Sequence, residues 1–461
     1  MKVKLAGYNI DYELIRRMEK DRDSLTPEVL SASYARISRD PREISTLREE
    51  AREQVEKARR SNENIVFGLG HSSVAEHAVF NFDIMGISRL AVESLESFRL
   101  AAYTEKSQRY IKIGKDFIVP AEVKENGLDD QFNGLIGYLE KQYNQLYRKM
   151  SGRVDKSVAK EDARYLLPLA TSAQLGMTVN ARELEYMVSR LASHPLGELR
   201  DLAEILTETA SGIAPSLIRY PEASDYFTGS YSTRNRLSDT AESDPELEDR
   251  VILVSSPDNC DELIIAAILF SSGRSGIEEA SRNAGIMTDR EKSDLIKATF
   301  KDIQPHDSVW REFEFVDFIF QASVSASCFA QLKRHRMATI APQPYISGAP
   351  VRIPESASGS EEIFHEAAKH SEQLYRKIAD AAGREAAEYA LLNAHQRRVL
   401  IGMNLRELYH FSRLRSDMHA QWEIRELSGR ICSLVRSEAP LASVLLGGKD
   451  SFEGLKSRLG D

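Results

Sequence analysis

Gln145-Leu146-Tyr147-Arg148-Lys149 returns letter for letter as Gln373-Leu374-Tyr375-Arg376-Lys377, 228 residues further on. A second pair, NARELEY from Asn180 and NLRELYH from Asn404, follows in the same order at a separation of 224. Weaker echoes fall where that register places them: HPLGELRDLA from His194 against HAQWEIRELS from His419, and FRLAAY from Phe98 against HRMATI from His335. Two matches in one order at nearly one spacing make the chain a domain written twice, and internal repetition outranks any local reading of fold. The 461 residues would otherwise suggest two or three unlike domains at about 150 residues each. The repeats are expected at 1–222 and 251–461. The polar stretch 223–250, acidic toward its end and poor in apolar periodicity, reads as a linker.

Each repeat shows one order of elements. A charged helix (Pro41 to Ser61 in the first repeat) precedes an apolar run with strand character, AVFNFDI from Ala78 and FEFVDFIF from Phe313. A small-residue helix and a loop follow. Then comes an amphipathic helix, with Leu135, Tyr138, Leu139, Tyr143, Leu146 and Tyr147 at helical spacing in the first repeat. One further helix is expected to carry the NxRE and HxxxE positions. Few strands and many helices give an α+β expectation.

Composition narrows the chemistry. Lys and Arg total 61 against 70 Asp and Glu, a net charge of -9 that excludes a broad electrostatic grip on nucleic acid. Mean hydropathy is -0.38. No run approaches the roughly 18 apolar residues of a membrane span, and the N-terminus turns charged before any signal-like segment forms, so a cytoplasmic location with no membrane partner is expected. Cys260, Cys328 and Cys432 are too few and scattered for a disulfide framework, and no Cys/His cluster suggests metal.

Three local patterns can carry chemistry. Gln331-Leu332-Lys333-Arg334-His335-Arg336 ends the small-residue helix SVSASCFAQLK. It reads either as a basic C-terminus complementing the helix dipole or as two guanidinium forks and an imidazole suited to phosphate or a heteroaromatic edge. In Tyr103-Thr104-Glu105-Lys106-Ser107-Gln108-Arg109-Tyr110, Glu, Ser and Arg alternate. That places them on one side of an extended loop, able to meet a hydroxylated phosphate ester, or leaves them as a solvated turn. HSSVAEH, His71 to His77, lacks the spacing that sets two imidazoles on one helical face; capping by Ser72 or Ser73 is the plainer reading.

As an ordered set these segments resemble the flavin-dependent thymidylate synthases. That family carries RHRxxSxNExSxRY, preceded by a segment like GHxSxxEHxxFxF and followed by NARxLxxFLxLRxxxxAQWEIR. The first repeat offers GHSSVAEHAVFNFDI, SFRLAAYTEKSQRY and RYLLPLATSAQLGMTVNARELEYMVSRLASHPLGELR. The second offers KRHRMATIAPQPY and NLRELYHFSRLRSDMHAQWEIRE. Neither repeat has the whole motif. In the first the triplet is Ser97-Phe98-Arg99 while Glu105, Ser107 and Arg109 survive, with Thr104 for the usual Asn. In the second Gln331, Arg334, His335 and Arg336 survive while the loop is Ala341-Pro342-Gln343-Pro344-Tyr345. The Arg before the LP pair is Arg164 in one repeat and Glu388 in the other.

The resemblance implies a sheet flanked by helices in each copy, paired as an intrachain pseudo-dimer, and one composite nucleotide site. The first repeat would give Glu105, Ser107, Gln108, Arg109 and Arg164, and the second Gln331, Arg334 and Arg415. The reciprocal site, with Ser97, Pro342, Pro344 and Glu388, would be dead. FAD would meet Arg334, His335 and Arg336, together with Ser38, Ser73, Glu105, Asn180, Arg182, Asn404, Arg406 and His410. Asn180 and Asn404 fit helix capping equally well. The implied reaction is reductive methylation of dUMP to dTMP, with methylenetetrahydrofolate giving the carbon, FAD the hydride and NADPH the reducing power. Arg415 would stabilise charge on the pyrimidine, and no cysteine is needed. The alternatives are a catalytically silent flavin- or nucleotide-binding homologue, or the same scaffold acting on another pyrimidine nucleotide. Since the family assembly has four protomers, a duplicated chain is expected to form a homodimer.

Overall fold

In a computed structural model the protein is described at all residues except 12, 15–24, 38–39, 110–115, 241–246, 248–250 and 460–461. The first repeat contributes strands β1 (Lys2–Tyr8), β2 (Val79–Ser88), β3 (Ala101–Glu105) and β4 (Ser172–Asn180). Its principal helices are α1 (Arg89–Leu95), α2 (Asp129–Met150), α3 (Ala181–Ala192), α4 (Gly197–Ser211) and α5 (Asp225–Thr240). The second repeats that order with β5 (Val251–Ser255), β6 (Asp317–Ser325), α6 (Ala326–Leu332), β7 (Thr339–Pro342), α7 (Glu361–Ala382), β8 (Gln396–Asn404), α8 (Leu405–Arg415) and α9 (Trp422–Glu438). Two four-stranded antiparallel sheets result, ordered β1-β2-β4-β3 and β5-β6-β8-β7. The architecture is α+β, as expected.

Alternation fixes each sheet's inner face. Phe80, Phe82 and Ile84 of β2 and Phe318, Phe320 and Ala322 of β6 are buried at every second position. The central strands differ by one residue. The pairing of β2 with β4 shifts between Met85 and Ile87, where Gly86 takes φ +69°, whereas β6 pairs with β8 without a shift. A left-handed backbone at a bulge is a glycine position.

Several expectations need correction. The charged helix breaks at Gln54 into Ile44–Glu53 and Val55–Glu63. The loop after the small-residue helix begins as edge strand β3, and as β7 in the second repeat. The NxRE and HxxxE positions lie on two helices per repeat, not one. Strands β4 and β8 were not anticipated; β4 alternates cleanly, with Ala173, Leu175, Met177 and Val179 buried, whereas in β8 the pattern is broken by buried Arg397 and exposed Leu400. The segment read as a linker contains α5, whose Phe227 packs edge-on against Tyr186 at 5.8 Å and whose Tyr231 meets His194 at 4.9 Å.

The chain divides into two compact units: Met1–Ser243 with Pro354–Leu392, and Asp244–Ile353 with Asn393–Asp461. The first unit therefore includes α7 from the second repeat. There α2 buries Phe132, Leu135, Ile136, Leu139, Tyr143, Leu146 and Met150, and α7 buries Phe364, Ala367, Leu374 and Ile378. Lys149 Nζ reaches the Gly359 carbonyl at 2.7 Å, and Lys377 Nζ reaches Gln131 Oε1 at 2.7 Å. With Tyr138 against His370 at 4.7 Å, the two helices run antiparallel.

Each strand-to-helix junction is fastened by a buried glutamate from the HxxxE segment. Glu198 accepts the Ser88 amide at 2.7 Å, the Ser88 hydroxyl at 2.6 Å and the Tyr389 hydroxyl at 2.6 Å. Glu423 does the same for Ser325, at 2.9 Å from the amide and 2.5 Å from the hydroxyl. The serines in turn cap α1 and α6. Glu198→Ala leaves these donors buried without an acceptor and is expected to cost about 2–3 kcal/mol, read from the urea midpoint. Burial pushes the Glu198 carboxyl up. A folded-state pKa above the unfolded one makes this contribution fullest below the unfolded pKa, and it falls as pH rises through the folded value. Glu198→Gln is expected to flatten that slope.

Candidate functional site

In the first unit, β3 delivers Glu105 at its last residue, and Arg89, opening α1, pairs with it at 2.7 Å. Both groups are almost fully buried. Burial opposes the charge on Arg89, but the carboxylates of Glu105, Glu93 and Glu96 outweigh it and raise its pKa. The Nε and Nη2 atoms of Arg89 are buried without a hydrogen-bond partner among the described residues. Past the strand, the Ser107 hydroxyl accepts the Arg109 amide at 3.1 Å, and the Arg109 guanidinium is ion-paired with Glu161. Arg164 is buried, and its Nε donates to the Glu161 carbonyl at 3.0 Å. Burial pulls its guanidinium below the ordinary value, with Arg89 and Arg109 acting in the same direction. Glu161 thus contacts both Arg109 and Arg164, and Arg89, paired with Glu105, is near enough to act on Arg164 electrostatically. Gln108 is buried beside them in sequence.

In the second unit, the turn after α6 exposes Arg334 and Arg336 and buries His335 between them. Arg334 also serves the plainer role, its Nε donating to the Ala330 carbonyl at 3.3 Å at the helix end. From the last turn of α8, Arg415 Nε donates to His335 Nε2 at 2.9 Å, Nη1 to Gln331 Oε1 at 3.3 Å and Nη2 to the Gln331 carbonyl at 3.0 Å. On the far side of the imidazole, Nδ1 faces Glu407 Oε1 at 3.2 Å. Phe411 and His410 meet the ring edge-on at 4.8 Å and 5.8 Å. Burial, reinforced by the nearby Arg415 and His410, holds His335 well below the usual imidazole range, so it is neutral.

The NxR positions are equivalent in both repeats. Asn180 and Asn404 cap α3 and α8, accepting the Glu183 and Glu407 amides at 2.8 and 2.9 Å. Arg182 pairs with Glu76 at 2.6 Å, and Arg406 with Glu314 at 2.7 Å, each glutamate lying just ahead of the central strand. The capping reading of the asparagines is therefore what their side chains do. Ser73 lies in the 3-10 turn Ser72–His77, where no side-chain cap bond forms, so the capping expectation for Ser72 or Ser73 fails. Ser38 lies outside the described residues.

Where the second repeat has Gln331, His335 and Arg415, the first has Ser94, Phe98 and Leu191. Phe98 there packs edge-on against Tyr186 at 5.7 Å, and Arg190 sits over Phe98, Tyr186 and Phe227 at 5.3, 5.6 and 5.8 Å. Conversely, where the first repeat has Ala173 the second has Arg397, sandwiched between Phe329 at 3.8 Å and Tyr345 at 4.0 Å.

Sequence reasoning missed Arg89, Glu161, Glu407, Glu198 and Glu423. The last two, and Glu407 with its counterpart Glu183, were visible as glutamates kept in both repeats. Arg89 and Glu161 had no such signal. Cys260, Cys328 and Cys432 are buried free thiols, and burial pushes Cys260 up to about 11. None is poised as a thiolate nucleophile. Among the described residues no group of three or more His, Cys, Asp or Glu is arranged to hold a metal ion, and no helix is long and apolar enough to cross a membrane.

The chain is a duplicated α+β protein with a Glu105–Arg109 loop in one copy and an Arg-His-Arg turn in the other. The profile of the family described as "Thymidylate synthase complementing protein" matches residues 21–216 and again 252–441, and the chain belongs to that family. It is 24% identical to the UPF0159 protein Ta1429 of Thermoplasma acidophilum over 90% of this chain and 94% of that protein. A flavin-dependent thymidylate synthase of Clostridium tetani is 30% identical over 42% of this chain and 82% of its own length. For one of Thermococcus onnurineus the figures are 35%, 30% and 56%.

Proposed function

We propose that the chain catalyses the reductive methylation of dUMP to dTMP with methylenetetrahydrofolate, a flavin and NADPH, at one composite site to which both repeats contribute. The observation that carries the reading is the complementarity of what each repeat kept. The first retains the loop of Glu105, Ser107 and Arg109 with Arg164, and the second retains Gln331, Arg334, His335, Arg336 and Arg415. Unselected decay has no reason to spare one full set divided between two copies. The reciprocal contacts of Lys149 with Gly359 and Lys377 with Gln131, which exchange under the repeat register, support a pseudo-twofold pairing of the repeats.

The donor set fits FAD. Two exposed guanidiniums flank a buried imidazole beside exposed Met337, which suits a diphosphate and the edge of a flat ring system. When bound, the flavin supplies the hydride. The residues of the chain do the rest. Arg109, Arg164 and Arg334 neutralise the nucleotide phosphate and fix the ring. Glu105 accepts a hydrogen bond from a sugar hydroxyl, and the Ser107 hydroxyl donates to the phosphate. Arg415 stays protonated at neutral pH and stabilises negative charge on the N3/O4 side of the uracil as C5 becomes nucleophilic.

A nucleotide- or flavin-binding chain without turnover is the second reading, favoured by Thr104 in place of the usual Asn. Action on another pyrimidine nucleotide is the third. Complementation of a thymidine-requiring host decides among them: growth supports the synthase, and failure with folded, yellow protein leaves the silent or altered-substrate readings. A colourless protein that FAD cannot reconstitute counts against both enzyme readings. The chain is further expected to be a homodimer, and a monodisperse monomer by light scattering contradicts the assembly.

A further inference from the structure

We infer that Glu407 is a positioning residue which, through His335, sets the tautomer and orientation that aim Arg415. The inference rests on the reading of Arg415 as the group facing the pyrimidine.

The hydrogen-bond logic leaves one arrangement. A guanidinium can only donate, so the 2.9 Å contact from Arg415 Nε requires an unprotonated Nε2 on His335. A neutral imidazole then carries its proton on Nδ1, which points at Glu407 Oε1 at 3.2 Å. Carboxylate, imidazole and guanidinium form a directed chain, and Gln331 fixes the other two nitrogens of Arg415. The chain is dry, with His335 and Glu407 only 3% and 7% exposed. Glu407 is itself anchored, since its amide is capped by Asn404 at the start of α8.

The first repeat provides the control. There His and Arg have given way to Phe98 and Leu191, and the matching Glu183 turns to the Leu100 amide at 3.4 Å. The glutamate adopts a backbone partner where there is no imidazole to hold.

The test reads the His335 ring directly, by nitrogen NMR on the flavin-free full chain, alongside kinetics of the loaded protein. The wild type is expected to show His335 as the Nδ1–H tautomer alone; an Nε2–H tautomer overturns the inference. Glu407→Ala is expected to populate both tautomers and lower kcat by about 10²-fold with KM for the nucleotide and flavin content nearly unchanged. Glu407→Gln, which keeps an oxygen at the accepting position, is expected to restore both. Equal KM and kcat effects, or a Glu407→Ala variant with wild-type turnover, overturn it. If Glu407→Ala does not fold, the wild-type tautomer and Glu407→Gln still decide. A wild type that binds flavin but turns nothing over refutes the synthase reading alone, because the tautomer is measured without turnover.

Discussion

Arg334→Ala and Arg109→Ala are each expected to weaken dUMP binding by at least about 10-fold, Arg109→Ala the more, and Arg99→Ala to leave it intact; equilibrium dialysis with labelled nucleotide is the measurement. Arg99 and Arg336 occupy matching positions in the two repeats, so an unsplit pair of sites would make Arg99 as sensitive as its counterparts. Losing one guanidinium from a phosphate-binding set removes a charge-assisted contact of about 1.5–3 kcal/mol, and Arg109 has more to lose. Its departure also leaves the Glu161 carboxylate without its cation, close to buried Arg164, where uncompensated negative charge opposes a phosphate. The expected affinity loss is therefore about 10²-fold or more for Arg109 and about 10-fold to 10²-fold for Arg334. Equal effects from Arg99 and Arg334 end the single-site model.

Arg415→Ala is expected to lower turnover by about 10²- to 10³-fold, the scale on which an oriented donor to a developing anion is worth its place. Flavin content should persist, because the exposed Arg334 and Arg336 are untouched. Arg415→Lys is not expected to rescue. The native side chain is held at three nitrogens in one plane by His335 and Gln331, and an ammonium cannot reproduce a fork. Stopped-flow reduction of the flavin, compared with product formation, separates the two steps: normal reduction with slow product formation is the predicted outcome. A variant deficient in both would reassign Arg415 to flavin binding.

Much of this was legible because the chain states its plan twice. The repeated pentapeptide and the NxRE pairs gave the duplication, and alternating Phe80 and Phe82, or Phe318 and Phe320, gave the central strands. Strand β4 was legible in principle, since Ala173, Leu175, Met177 and Val179 alternate along it, but β8 was opaque for a local reason. QRRVLIGMN carries two arginines near its start, one of them buried between aromatic rings. Helix α5 was opaque because its few aromatic contacts, through Phe227 and Tyr231, do not make a periodic stripe. At the candidate site the cations other than Arg89 were visible as motif letters. Of the carboxylates that orient them, Glu407 showed only as a glutamate kept in both repeats, and Glu161 gave no signal, since a lone glutamate in a helix looks the same whether it meets water or a guanidinium.

The inclusion of Pro354–Leu392 in the first compact unit has a consequence for ancestry. A gene assembled from two copies can ordinarily shed one and return to its single form. Here α7 is encoded in the second copy and supplies packing for the first, so a stop codon after the first repeat would strip α2 of its neighbour. With α7 part of the first unit, deletion of either repeat is expected to leave a long amphipathic helix without its partner.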